Sequence, residues 1–121
     1  MLNEKQTKAL VKKLAKIAYP DYKGRRFFLV ERETYQMSNF WDEGSRYYCV
    51  AVNLSTGEMK DPSHDSTVPY NQEAHSIFTI PPGFGILQRA IVMGNDRGIT
   101  LYVPPSNRLE KNTQEFDAIE E

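Results

Sequence analysis

The chain has 121 residues, of which 40% are hydrophobic and 26% are charged, and this composition is typical of one soluble globular domain. No apolar run approaches the ~18 residues of a membrane span, and the first residues lack the apolar core of a secretory signal. Cys49 is the only cysteine, which excludes an internal disulfide, and with two histidines it offers little for a metal site. We therefore expect a cytoplasmic protein with no membrane contact, no metal and no cofactor.

The net charge of −1 conceals an uneven distribution of charge along the chain. The first 30 residues carry eight Lys and Arg against two acids, whereas the last sixteen carry two against five. Such asymmetry is typical of a polyanion-binding end, or of a basic helix lying beside an acidic sheet. We expect a single domain over residues 1–105 and an acidic tail over residues 106–121 that is partly helical or disordered.

The stretch from Asn3 to Ala18 predicts an amphipathic helix. Asn3 can cap its start, and Pro20 ends it because the residue before a proline is disfavoured in the α conformation. One apolar stripe follows helical spacing, and its members are Leu10, Val11, Leu14, Ile17 and Ala18. Four lysines fall on the opposite face, namely Lys5, Lys8, Lys12 and Lys16. We expect the stripe to pack on a sheet and the lysines to face water.

Two stretches rich in aromatic and β-branched residues, Arg26 to Met37 and Arg46 to Leu54, predict the paired strands of a hairpin. The turn between them is expected at Asp42–Ser45. Along the second strand, large side chains alternate with the small ones of Cys49 and Ala51. The small side chains leave room for the N-terminal helix to pack on their face of the sheet.

The second half of the chain predicts a loop followed by three strands. The polar stretch Asp61 to His75 contains two prolines and is expected to be a surface loop. Ser76 to Ile80 reads as a short strand, and Ile86 to Met93 with Ile99 to Val103 predicts a hairpin across Gly94–Gly98. The expected fold is therefore α+β, with one N-terminal amphipathic helix packed on a mostly antiparallel sheet of five or six strands.

Four motifs of turn and strand residues stand out between Arg26 and Asn107. They are W-D-E-G-S-R-Y-Y (41–48), A-V-N-L-S-T-G (51–57), P-P-G (81–83) and D-R-G-I-T-L-Y-V-P-P-S-N (96–107). Together they resemble a family of small uncharacterised proteins found in bacteriophages, prophages and bacterial genomes. The resemblance implies the order hairpin, loop, hairpin, and a phage or another mobile element as the source. Because that family has no assigned activity, the resemblance implies no catalytic or binding residue.

The first candidate site is the predicted turn that carries Trp41, Asp42, Glu43 and Arg46. An exposed Trp and Arg at a hairpin tip are typical of a protein-binding hot spot. In the plainer interpretation, Trp41 caps the core and Arg46 pairs with one of the acids. We expect a non-enzymatic protein that binds a cytoplasmic protein partner through this turn, and the resemblance suggests a host or defence protein as that partner. A symmetric homodimer stays open as an alternative.

The second candidate is the basic N-terminal region, which could contact nucleic-acid phosphates. Its cations are Lys5, Lys8, Lys12, Lys16, Arg25 and Arg26. The plainer interpretation is a solvated helix face, since lysine predominates in the helix and no aromatic residue interleaves with it.

A third alternative is a small hydrolase that uses His64, Asp65 and His75 of the polar loop. The spacing of these residues matches no metal-binding motif, and the plainer interpretation is a pair of exposed loop histidines. We expect no enzymatic activity.

Overall fold

The computed structural model describes residues 4–36, 45–60, 70–71, 77–105 and 115–120. Within these ranges the chain forms α1 (Glu4–Ala18), β1 (Arg26–Glu31), β2 (Thr34–Gln36), β3 (Ser45–Asn53), β4 (Met59–Lys60), β5 (Tyr70–Asn71), β6 (Ile77–Thr79), β7 (Phe84–Val92), β8 (Asn95–Val103) and β9 (Glu115–Glu120). Six strands form one sheet in the order β4-β3-β7-β8-β1-β9, and three form a small sheet in the order β2-β6-β5. The described neighbours are antiparallel except β1 and β8, which are parallel. The predicted α+β class is confirmed.

Helix α1 has nearly the predicted length, and its buried face overlaps the predicted stripe at Val11 and Leu14 but is rotated away from Ile17. Four side chains are buried, namely Thr7, Val11, Leu14 and Ala15. Ile17, expected within the apolar stripe, is 58% exposed. At ~100° per residue, the buried face lies roughly 45° around the helix axis from the predicted one. Thr7, Val11 and Ala15 recur at i, i+4 and i+8. Their side chains are smaller than that of Ile17, so they allow a closer approach to the sheet.

The helix packs on the face of the sheet opposite to the predicted one. Val52 and Leu87 lie in the same core cluster as Val11 and Leu14, whereas Ala51 lies in a second cluster. That second cluster contains Tyr35 of β2, Phe78 of β6, and Ile80, Ala51 and Ile86. The prediction that the small side chains of β3 receive the helix is therefore wrong. Their small volume instead makes room for the large aromatic residues of the small sheet.

The predicted hairpin between the first two strand-forming stretches is also wrong. The first stretch divides after Glu31 into β1 and β2, which belong to different sheets. Strand β1 pairs in parallel with β8, where Phe27 lies opposite Ile99, and β8 and β7 separate it from β3. Strand β3 pairs with β7 along its full length, from Ser45 opposite Val92 to Asn53 opposite Phe84. Because β3 has this partner, β1 pairs with the far edge of the β7–β8 hairpin.

The predicted β7–β8 hairpin is confirmed, but its turn is tighter than expected. Val92 pairs with Asn95, which leaves a two-residue turn of Met93 and Gly94. Both have positive φ, 52° and 80°, as a type I′ turn requires. Of the residues expected to form the turn, Gly94 does so, whereas Asn95 to Gly98 instead continue strand β8.

The acidic tail contributes strand β9. Glu115–Glu120 pairs antiparallel with β1, so the helix predicted for the tail is wrong over these residues. Strand β1 offers β9 a line of backbone donors and acceptors, and this pairing outweighs the weak helical spacing in the tail. In the described part of the chain, no helix is both long enough and apolar enough to cross a membrane.

Candidate functional site

A recess of about 230 Å³ lies between the C-terminal half of α1, the segment after it and the start of β1. Three lysines line it, Lys12, Lys16 and Lys23, and none of the acidic side chains that the structure describes does. Ala15 and Phe27 also line it, and they are only 2% and 7% exposed. The recess therefore combines positive charge with an apolar base.

The orientation of α1 explains why lysines reach this recess. With the buried face centred near Val11, the four predicted lysines lie on one flank of the helix instead of opposite its buried face. Lys8 and Lys12 are accordingly half-buried, whereas Lys5 and Lys16 are exposed. We call these four residues the lysine row. Its C-terminal end, at Lys12 and Lys16, opens into the recess.

Tyr22 forms a firmly held wall of the recess. Its hydroxyl donates to the carbonyl oxygen of Arg26 and accepts from the amide of the same residue, both at 3.1 Å. Its ring meets Phe27 edge-on, with ring centroids 5.7 Å apart. Gly24 lies so close that an added Cβ would overlap the hydroxyl and ring of Tyr22. Burial raises the pKa of Tyr22, so the hydroxyl stays protonated at neutral pH.

Tyr19 forms another wall and ties the end of the helix to the sheet. Its hydroxyl donates to the carbonyl oxygen of Tyr48 at 2.8 Å and also approaches that of Leu87 at 3.3 Å. Burial raises the pKa of Tyr19 well above its ordinary value. Because the hydroxyls of Tyr19 and Tyr22 both have backbone partners, both walls are ordered without a ligand.

Arg89 of β7 contacts both tyrosine walls of the recess. Its guanidinium lies 5.4 Å from the ring centroid of Tyr22 and 6.0 Å from that of Tyr19. Nη1 donates to both carboxylate oxygens of Asp21, at 2.9 and 3.0 Å, and Nε donates to Asp96 at 2.9 Å. The hydrogen bond from Arg89 holds the pKa of Asp21 below its ordinary value. Asp21, which belongs to the segment that lines the recess, is therefore paired with a cation outside the lining.

The structure brings together only some of the predicted nucleic-acid contacts. Lys12 and Lys16 meet at the recess, Lys5 and Lys8 continue the row, and Arg25 is exposed close by. Arg26 does not join them, because its guanidinium lies over the ring of Phe28, 5.7 Å from the ring centroid. Phe27 packs in the helix-side core, so the adjacent Arg26 and Phe28 lie on the other face of the sheet.

Most of the predicted protein-binding turn lies outside the described residues. Trp41, Asp42 and Glu43 lie outside the described residues, and of Arg46 only the backbone position in β3, opposite Ile91, is described.

The predicted hydrolase residues His64, Asp65 and His75 also lie outside the described residues. Among the side chains that the structure does describe, no group of three His, Cys, Asp or Glu could hold a metal ion. Cys49 is half-buried, forms no disulfide and packs against the second core cluster.

The sequence alone missed the aromatic and glycine residues of the recess. The signal was present in Y-P-D-Y-K-G (19–24), where two tyrosines and a glycine directly follow the lysine-rich helix. No aromatic residue interleaves with the lysines along the helix, but Tyr19 and Tyr22 stand beside them in space. Arg89 could not be connected with this region from the sequence, because it lies 68 positions from Asp21.

The comparisons with known proteins add no homologue: no family model, no curated protein and no solved structure matches the chain. The resemblance to phage and prophage proteins stays a prediction.

Proposed function

We propose that this is a non-enzymatic protein that binds nucleic acid through the lysine row. The observation that supports this is the orientation of α1, which places four lysines along one flank of the helix. The last two of these lysines line a recess whose walls include Tyr19 and Tyr22. Lysine ammonium groups bind phosphate as point charges, and contacts to phosphate carry no direct sequence information, so we expect binding that is independent of sequence.

The length of the row sets the expected strength and salt dependence. Lys5 and Lys16 are eleven positions apart, which at ~1.5 Å per residue spans about 16 Å along the helix. Four contacts to phosphates predict a slope of log K against log salt concentration of about −3 to −4. Affinity should therefore fall by roughly 100-fold between 50 and 200 mM salt.

The test is fluorescence anisotropy with a labelled oligonucleotide at several salt concentrations. Lys5→Gln with Lys8→Gln removes two contacts outside the recess, and we expect the slope to fall in magnitude by about 1.5 to 2. Lys13→Gln with Lys60→Gln is the matched control: it removes the same charge from exposed lysines outside the row, and its slope should stay that of the wild type. Equal slopes for the two double variants would refute the proposal.

A second proposed function is the docking of a protein partner at the end of the sheet where β3 begins. Met93 supports it, because this large apolar residue is 75% exposed and follows Val92, the residue paired with Ser45. Trp41, Asp42, Glu43 and Arg46, predicted for this role, are close to the same end in sequence. A host or defence protein as the partner, and a phage or mobile element as the source, rest on the resemblance alone.

The second function is tested by affinity capture from nuclease-treated bacterial lysate. Trp41→Ala and Arg46→Glu should each lose a discrete protein that the wild type retains, whereas Lys13→Gln should keep it. Retention of that protein by all the variants would remove the assignment of this turn.

A further inference from the structure

We propose that the recess is a binding site for a phosphate monoester, the doubly charged group found at a nucleic-acid terminus or on a free nucleotide or sugar phosphate. The inference rests on the proposed function only for the nucleic-acid source, because the recess shares Lys12 and Lys16 with the lysine row.

The charge of the lining matches this group. A phosphate monoester carries about −1.5 to −2 at neutral pH and has three strong acceptor oxygens. Among the described residues, the lining of the recess offers three lysines and no carboxylate. Asp21 is the only acid in the segment between α1 and β1, and its carboxylate accepts from Arg89. A singly charged phosphodiester or carboxylate would balance less of this positive charge.

The size of the recess favours a small group. Its volume of about 230 Å³ is below the ~300–1,000 Å³ of sites for drug-sized ligands. A phosphate with part of its sugar is therefore a better fit than a complete dinucleotide. The apolar side chains of Ala15 and Phe27 at the base offer no polar group that would compete with a phosphate for the lysines.

The walls are ordered before any ligand arrives. Tyr22 is held by both backbone groups of Arg26 and closely approached by Gly24, and Tyr19 is held by the carbonyl oxygen of Tyr48. A ligand therefore has to order only the lysine side chains, and less binding free energy is lost to entropy.

Two titrations test the inference and separate its sources. In the first, adenosine 5′-monophosphate is added to ¹⁵N-labelled protein, with adenosine as the control, and amide shifts at Gly24 are followed. In the second, anisotropy compares an oligonucleotide that bears a 5′-phosphate with the same oligonucleotide bearing a 5′-hydroxyl. We expect the nucleotide, but not the nucleoside, to shift Gly24, and the 5′-phosphate to tighten binding at least threefold.

Three double variants locate the effect. Lys16→Gln with Lys23→Gln should weaken the nucleotide about tenfold and abolish the preference for the 5′-phosphate. Lys5→Gln with Lys8→Gln, and Lys13→Gln with Lys60→Gln, should keep both effects. All six lysines are at least partly exposed, so the amide spectra should confirm that each variant is folded.

The outcomes for the recess and for the lysine row are distinguishable. If the nucleotide binds through Lys16 and Lys23 while neither oligonucleotide binds, the recess takes a free phosphate ester and the proposed function fails. If both oligonucleotides bind equally and the nucleotide shifts nothing at Gly24, the row binds nucleic acid and the inference about the recess is wrong. Nucleotide binding that survives Lys16→Gln with Lys23→Gln would overturn the inference as well.

Discussion

Replacing Arg89 with methionine is expected to lower the free energy of unfolding by about 2.5–3 kcal/mol. The side chain is 14% exposed, and its Nε and Nη2 donate to Asp96 at 2.9 and 2.8 Å. This partly buried pair contributes about 1.5–2 kcal/mol. The contacts with the rings of Tyr19 and Tyr22 add about 0.5 kcal/mol each. Asp21 adds little, because its side chain is 75% exposed and solvent screens the ion pair.

Thermal and urea denaturation followed by circular dichroism would measure this loss. For a chain of this length we expect Tm to fall by about 8–12 °C. Arg97→Met is the control, because it removes the same charge from an exposed residue of the same hairpin and should change the free energy of unfolding by less than about 0.5 kcal/mol. Equal effects of the two substitutions, or a loss below about 1 kcal/mol for Arg89→Met, would refute the reasoning.

Three further predictions concern turns and charge. Met93→Asn should raise the free energy of unfolding by about 0.5–1 kcal/mol in urea denaturation, because asparagine tolerates positive φ next to Gly94; no gain would contradict the turn type. Gly24→Ala should lower Tm through a loss of about 1–3 kcal/mol, because its Cβ would displace Tyr22, and a wild-type Tm would contradict this packing. Asp21→Asn should be less stable than the wild type above pH ~4, and the difference should disappear as pH falls through the lowered pKa of Asp21, as acid-denaturation curves would show.

The sequence predicted the elements of this fold better than their arrangement. Helix α1 and the β7–β8 hairpin follow from local periodicity and glycine placement, which are properties of short stretches. The position of β1 does not, because parallel pairing with β8 joins residues about 70 positions apart, such as Phe27 and Ile99. Which strand edge is available to β1 depends on how all the other strands pair.

The face of α1 shows the same limit on a smaller scale. Leu10 and Ile17 widen the apolar stripe, so the spacing alone permits a range of orientations around the axis. The sheet selects the orientation with Ala15 inward, where the helix can approach closely, and leaves Ile17 largely in water. The lysines therefore lie on the predicted helix, but on a flank of its buried face and not opposite that face. For this reason the recess that they line could not be predicted.

Arg89 links the stability of the fold to the charge of the recess. While Arg89 holds both carboxylate oxygens of Asp21, the described lining of the recess contains lysines and no carboxylate. The hydrogen bond from Arg89 is the main cause of the lowered pKa of Asp21, and Lys23 is two positions away in the sequence; without Arg89 we expect the released carboxylate to pair with Lys23 and cancel part of the positive charge. Arg89→Met should therefore weaken nucleotide binding under conditions where the variant is still folded. Arg89→Met with Asp21→Asn should restore binding without restoring stability, because it removes the competing carboxylate but not the lost contacts with Asp96.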